Sequence, residues 1–334
     1  MTVLVTGGSG LVGSHVIEAL RARGESVRAL VRPASRAVIE QLGAEAVPGD
    51  VQDAAVWRAA AHGVRGLVHA AALLQQRASW QEYEAVNVGG TRLAALAART
   101  ARARLVHISS VAVYGGLANY RPESERRTED SPFQPIPEHD FYARSKRLAE
   151  AAVREAAEDG LNAVALRPNV IYGERDRLFT PRVIRVVRRR VVPRIGPGTN
   201  HLSCMYAGNV AAAVVAALDA PVTGFRVYNV ASDAPPVLTQ HEFLAAFAAA
   251  LGVHPVTIPI PEGLARGVMT VLTSRRLARA AAAFITGENP YVDERARREL
   301  AWQPPFTAAS AVRRSVGWFL KNDKPGRESR ASSH

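Results

Sequence analysis

The sequence predicts an α/β fold, a doubly wound parallel sheet wrapped by helices with a smaller lobe toward the C-terminus. Three observations carry that prediction. Short apolar runs alternate with helical patterns through the first 170 residues, as strands joined by helical crossovers do. A glycine-rich turn stands directly between the first apolar run and the first helix. After Pro168 the alternation loosens, which marks a change of architecture.

Taken in order, Val3–Thr6 reads as the first strand and Leu11–Arg23 as the first helix. Val27–Val31 and Glu45–Pro48 follow as strands on short crossovers, as in a mononucleotide-binding half. Val51–His62 is then a helix, Gly66–Ala70 a strand, Trp80–Arg99 a long helix and Leu105–Ile108 a strand. Phe141–Ala157 is helical and Ala163–Leu166 extended. Beyond Pro168, Phe179–Arg190 reads as a helix ending in arginines, which the negative end of a helix dipole favours. A loop rich in Pro193, Gly196, Pro197 and Gly198 comes next. Val210–Leu218 and Glu242–Leu251 are helices, Phe225–Val230 and Val256–Pro259 strands. Leu264–Phe284 is a long helical stretch, expected to pack the lobe, with an amphipathic surface helix that binds membrane or closes over an apolar ligand as the alternative, and Ala308–Leu320 is the last helix. Residues 1–170 are expected to form the core domain and 171–321 mainly the lobe, with 206–231 returning to the core and 322–334 a disordered tail.

The chain is 48% hydrophobic and 22% charged over 334 residues, enough for a packed core. Its single cysteine, Cys204, excludes an internal disulfide framework and suits a reducing compartment. With no signal-peptide pattern and no apolar run of spanning length, a soluble cytoplasmic protein is expected. The formal charge of +12 invites nucleic-acid binding, but it is spread through an arginine-rich chain and does not form a binding stripe. No nucleic-acid partner and no metal site are expected.

Gly7, Gly10 and Gly13 stand at G-x-x-G-x-x-G spacing between strand and helix, where backbone must approach a pyrophosphate closely. The second strand ends Val31-Arg32-Pro33 without a carboxylate to take a ribose 2′-hydroxyl. Arg32 is placed to accept a 2′-phosphate, Arg36 to assist, and so NADP is favoured over NAD. Asp50 and Val51 follow the third strand, Asp50 as an adenine contact, a helix cap or both. Ala70 and Ala71 close the fourth strand with the small residues that close approach requires. Tyr142 and Lys146 lie four apart on one helix face, where an ammonium beside a phenol is expected to lower its pKa for acid/base work. Lysine is otherwise confined to Lys321 and Lys324, which makes a chance pairing improbable. Ser109 and Ser110 end the fifth strand, where a hydroxyl can hydrogen-bond a substrate oxygen.

In this order the motifs resemble the extended short-chain dehydrogenase/reductase family, also described as the epimerase/dehydratase superfamily, over nearly the whole chain. Asn87, Arg167-Pro168-Asn169 and Val170–Gly173 extend the likeness. The resemblance implies a Rossmann core and a catalytic Ser110, Tyr142 and Lys146. It implies cofactor contacts at Thr6, Gly7, Gly10, Leu11, Val12, Arg32, Asp50, Val51, Ala70, Ala71, Ser109, Tyr142, Lys146, Pro168 and Val170. Substrate contacts are implied at Ser110, Val111, Tyr142 and Asn169, and Asn87 is the residue that braces the active-site helices. Leu202 stands where sugar-nucleotide epimerases and dehydratases carry an arginine for the diphosphate. The chain is more similar to the 3β-hydroxysteroid dehydrogenase and dihydroflavonol reductase branch, which implies an oxidoreductase acting on an apolar alcohol or ketone. A nucleotide-sugar epimerase or dehydratase using the same triad is the alternative. A homodimer through helices Trp80–Arg99 and Phe141–Ala157 is expected by analogy.

Overall fold

A computed structural model describes residues 1–74, 77–115, 126–189, 191–261, 263–265 and 284–322. Its strands are β1 (Thr2–Thr6), β2 (Ser26–Val31), β3 (Glu45–Pro48), β4 (Val64–His69), β5 (Arg104–Ile108), β6 (Ala163–Pro168), β7 (Val170–Tyr172), β8 (Val191–Ile195), β9 (Cys204–Tyr206), β10 (Phe225–Val230) and β11 (Val256–Ile260). Its helices are α1 (Leu11–Ala22), α2 (Arg36–Gln41), α3 (Ala54–Ala60), α4 (Trp80–Tyr83), α5 (Gly90–Thr100), α6 (Phe141–Glu158), α7 (Thr180–Arg188), α8 (Ala207–Asp219), α9 (Gln240–Leu251), α10 (Glu294–Glu299) and α11 (Ala308–Asn322).

Seven strands form one parallel sheet in the order β10-β6-β5-β4-β1-β2-β3. The period-two alternation of a strand decides which helices cover which face. Val3 and Val5 of β1 face α1 and α8, packing with Val16, Ile17, Leu20, Val210 and Val214. Leu4 between them points the other way, to Trp57 of α3, Ala94 and Ala98 of α5, and Val153 of α6. Both faces are therefore sealed, as a parallel sheet requires. Strand order reverses between β1 and β4, so a crevice opens at their carboxyl ends.

After β6 the chain leaves this sheet and builds two small parallel pairs, β7 with β9 and β8 with β11. These pack with α7, α9 and α11 around Tyr172, Ile184, Val187, Phe243, Phe247, Val312 and Val316. The chain then returns, because α8 packs on α1 and β10 adds to the sheet edge beside β6.

Several elements depart from expectation. Asp53, not Asp50, caps the helix after β3 by accepting from the Ala55 N–H at 2.9 Å, so that helix starts at Ala54. The expected long helix Trp80–Arg99 is interrupted by a π-helical turn over Glu84–Gly89. The stretch around Pro193 is strand β8, which tolerates proline because its two-stranded sheet leaves an edge on each strand. Of the expected helix Leu264–Phe284, residues 266–283 lie outside the described residues, as do residues 323–334 of the expected tail; Asn322 ends α11.

Candidate active site

A cleft of about 850 Å³ runs along the carboxyl ends of β1, β2, β4, β5 and β6. One end is built from backbone. Gly7 adopts φ +68°, and a Cβ there would lie 2.7–2.8 Å from the backbone of Ala70 and Ala71. A Cβ on Gly13 would lie 2.2 Å from the Gly7 carbonyl oxygen. Gly10 caps α1 without a side chain, so no side chain occupies the anion-binding end of that helix. This is the cradle that a dinucleotide pyrophosphate needs, and the chain fits such a group on that ground.

Of the cofactor contacts expected from sequence, all but one line this cleft: Gly7, Gly10, Leu11, Val12, Arg32, Asp50, Val51, Ala70, Ala71, Ser109, Tyr142, Lys146, Pro168 and Val170. Thr6 is the exception. It is fully buried behind the wall, where its Oγ1 lies 2.8 Å from His69 Nδ1 and accepts from the Ala71 N–H at 3.2 Å. Its hydroxyl thus orders the alanine turn from behind. Arg32 is exposed on the wall and makes no ion pair among the described residues. Arg36 points elsewhere, pairing with Glu40 at 2.7 Å one turn along α2. Asp50 Oδ1 accepts from the Gln52 N–H at 2.9 Å, a turn contact and not a helix cap.

The other end is built from side chains on α6 and the segment after β5. Asp140 caps α6 by accepting from the Ala143 N–H at 3.2 Å, which starts the helix one residue before Tyr142. Tyr142 is half-buried and hydrogen-bonded to the Ser110 hydroxyl. Lys146, one turn on, is buried and donates to the Ile108 carbonyl. Burial brings the Lys146 ammonium down to about 8, against the pull of the Glu150 charge. Tyr142 moves the other way from expectation. Burial pushes its phenol up, with Tyr83 and Asp140 adding to the effect and the Ser110 bond opposing it. In the protein alone desolvation outweighs the Ser110 bond, and the Lys146 ammonium is turned to a carbonyl, so the phenol keeps its proton.

Asn87 lies in the π-helical turn and ties three pieces together. Its Oδ1 accepts from the Leu73 N–H at 2.7 Å, and its Nδ2 donates to Ser145 Oγ at 2.9 Å. Behind Lys146, His69 and His107 stack at 5.8 Å. Burial holds His69 at about 3 and His107 well below its usual value, so neither competes with Lys146 for a proton. His15 of α1 connects the Leu11 carbonyl at 2.8 Å to Glu174 at 3.1 Å, bracing the glycine turn against the segment after β7. Burial works against the Glu174 charge, but His15 and Tyr206 hold its carboxyl down to about 2.

Ser110, Val111, Tyr142 and Asn169, the expected substrate contacts, all line the cleft. The Ser109 hydroxyl donates to Glu150 at 2.7 Å and is committed away from it. Sequence reasoning missed Leu73, Val86, Asp140, Arg177, Phe179 and Tyr291, which complete the wall beyond Tyr142. They come from separate segments and carry no shared spacing. The only available signal was that of Asp140, a cap residue at the start of a helix.

A model of the NAD dependent epimerase/dehydratase family matches residues 3–231. A 4-hydroxy-2-methyl-3-oxo-4-farnesyl-3,4-dihydroquinoline-1-oxide ketoreductase of Stigmatella aurantiaca is 33% identical over 316 residues, covering 90% of this chain and 92% of the relative. A 3 beta-hydroxysteroid dehydrogenase/Delta 5-->4-isomerase of Mycobacterium tuberculosis is 29% identical over 343 residues, covering 95% and 90%. Among solved structures, a short-chain dehydrogenase/reductase superfamily protein of Agrobacterium tumefaciens with bound NAD is 25% identical. It covers 96% of this chain and 98% of its own, at a TM-score of 0.69.

Proposed function

The chain belongs to the NAD dependent epimerase/dehydratase family, and within that family we propose that it is an NADP(H)-dependent reductase of a ketone or aldehyde on a mainly apolar small molecule. The observation that carries the reading is the convergence of Ser110, Tyr142 and Lys146 on one cleft whose far end is the glycine cradle. The cofactor, when bound, supplies the hydride for the carbonyl carbon. Tyr142, held as a phenol by burial, delivers the proton to the carbonyl oxygen as negative charge develops there. Ser110 donates a hydrogen bond to that same oxygen. Lys146 stands one helix turn from the phenol, and on this reading its ammonium turns from the Ile108 carbonyl toward the phenolate as charge develops there.

Arg32, exposed and without an ion pair among the described residues, would take the 2′-phosphate. Leu73, Val86, Val111, Phe179 and Tyr291 offer an apolar surface to the substrate body. Leu202 packs beside the lobe core and offers no cation to a diphosphate. The second reading, a nucleotide-sugar epimerase or dehydratase, rests on Arg177, an exposed guanidinium on the same wall. Mixing the protein with NADPH and a panel of alicyclic and aromatic ketones separates the two. Continuous NADPH consumption supports the reductase; retained cofactor with no net consumption, and isomerised or dehydrated nucleotide sugar, would replace it with the second reading.

A further inference from the structure

Helix α6 grips the segment carrying Ser110 with three charged side chains. Lys146 donates to the Ile108 carbonyl, Arg147 Nε donates to the Val113 carbonyl at 2.8 Å, and Glu150 accepts from the Ser109 hydroxyl at 2.7 Å. Glu150 is the most buried link of this grip, and its charge is answered from β6. Arg167 Nε donates to Glu150 Oε2 at 3.0 Å and Arg167 Nη2 to Glu150 Oε1, with the two side chains only 2% and 3% exposed. Arg167 Nη1 donates to the Tyr114 hydroxyl at 2.9 Å, and that hydroxyl donates to Asn229 Oδ1 at 2.7 Å. One ion pair thus joins the end of β5, the end of β6 and the helix of Tyr142 and Lys146.

Stability alone is a poor reason for such a pair. Removing both ions from water offsets most of their attraction, and an apolar pair of similar volume often does as well. What the pair supplies is direction. Ser109 is drawn back into the protein, and Ser110, next in the chain, meets Tyr142 at the cleft. Tyr142, Lys146 and Glu150 also repeat every four residues along one helix face. We propose that Glu150 and Arg167 form a positioning pair that fixes Ser110 against Tyr142 and sets a counter-charge one turn from Lys146. The claim rests on the reductase reading above.

The groups facing Lys146 are Glu150 on its own helix, His69 and His107 from β4 and β5, and Arg167 behind Glu150. Both histidines are neutral through the working range, so the carboxylate is the charge that a substitution removes. Burial lowers the Lys146 ammonium and Glu150 opposes that; losing the carboxylate lets Lys146 discharge at lower pH.

The test compares wild type, Glu150→Gln and the double variant Glu150→Leu/Arg167→Met, with NADPH and whichever panel ketone turns over fastest. Thermal midpoints and the pH dependence of NADP+ affinity are measured alongside. Glu150→Gln is expected to lower kcat by about 10- to 100-fold, to change KM little, and to move the alkaline limb of kcat and of NADP+ affinity to lower pH. The double variant should recover the thermal midpoint but neither kcat nor the limb. Wild-type kcat and an unmoved limb in Glu150→Gln would overturn the proposal. So would a double variant that recovers everything, or failure of both variants to fold, since the pair would then be structural alone. Wild type that consumes no NADPH removes the reductase reading instead, and the NADP+ affinity profile still decides the positioning claim.

Discussion

The two ends of the cleft are made from different materials. At the glycine turn the wall is backbone, and what matters is the absence of side chains: a Cβ at Gly7 or Gly13 would meet main-chain atoms under 3 Å away. Beyond Tyr142 the wall is side chain, from Leu73 after β4, Val86 in the π-helical turn, Phe179 before α7 and Tyr291 near the C-terminus. A backbone wall tolerates almost no substitution, because main chain cannot move aside without dragging a strand or helix. A side-chain wall can be remodelled one methyl at a time, and on the proposed reading it is the part that sets substrate preference.

Substitutions at the two ends should therefore differ in size and in what they disturb. Gly13→Ala forces a Cβ against the Gly7 carbonyl and should cost about 3 kcal/mol in cofactor binding or in the fold. NADPH titration beside a melting curve checks it, and an unchanged affinity would mean the turn is looser than its geometry. Arg32→Glu should swing preference from NADPH toward NADH by about 10- to 100-fold, roughly 2 kcal/mol, with kcat little altered. No swing would reduce Arg32 to a surface charge. Acid should loosen the brace that His15 and Glu174 make between the glycine turn and the segment after β7, at a cost on the order of 1–2 kcal/mol. Glu174 is held down to about 2 from its usual 4.5, so its contribution is complete above pH 4.5 and is lost as pH falls toward 2. Glu174→Gln should flatten that acid limb of the melting curve, and an unchanged limb would assign it to other carboxylates. Val86→Ala, at the side-chain end, should raise KM for an apolar ketone about fivefold, near 1 kcal/mol, and leave NADPH affinity alone.

The same contrast explains what could be read in advance. The glycine turn, Arg32, the alanines after β4 and the Tyr142/Lys146 pair are local patterns, each meaningful within a few residues of sequence. A strand-end threonine beside a glycine turn, such as Thr6, looks like a ligand contact, and only the fold reveals His69 behind it. Asp50 and Asp53 both precede a helix, and the turn between them decides which one caps it. Glu150 and Arg167 look like ordinary surface charges until β6 and α6 are placed side by side. The lobe was hardest for the same reason. Its strands β7 and β9 have three residues each, too short for any period to show, and proline disguises β8.

On the proposed reading Tyr142 is the acid that completes hydride transfer, and the direct test is Tyr142→Phe assayed for NADPH affinity and for kcat in the same preparation. Affinity is expected within about twofold of wild type, with kcat reduced by about 100- to 10,000-fold. A kcat within about threefold of wild type would contradict it, because proton delivery at about that rate would have to come from another group.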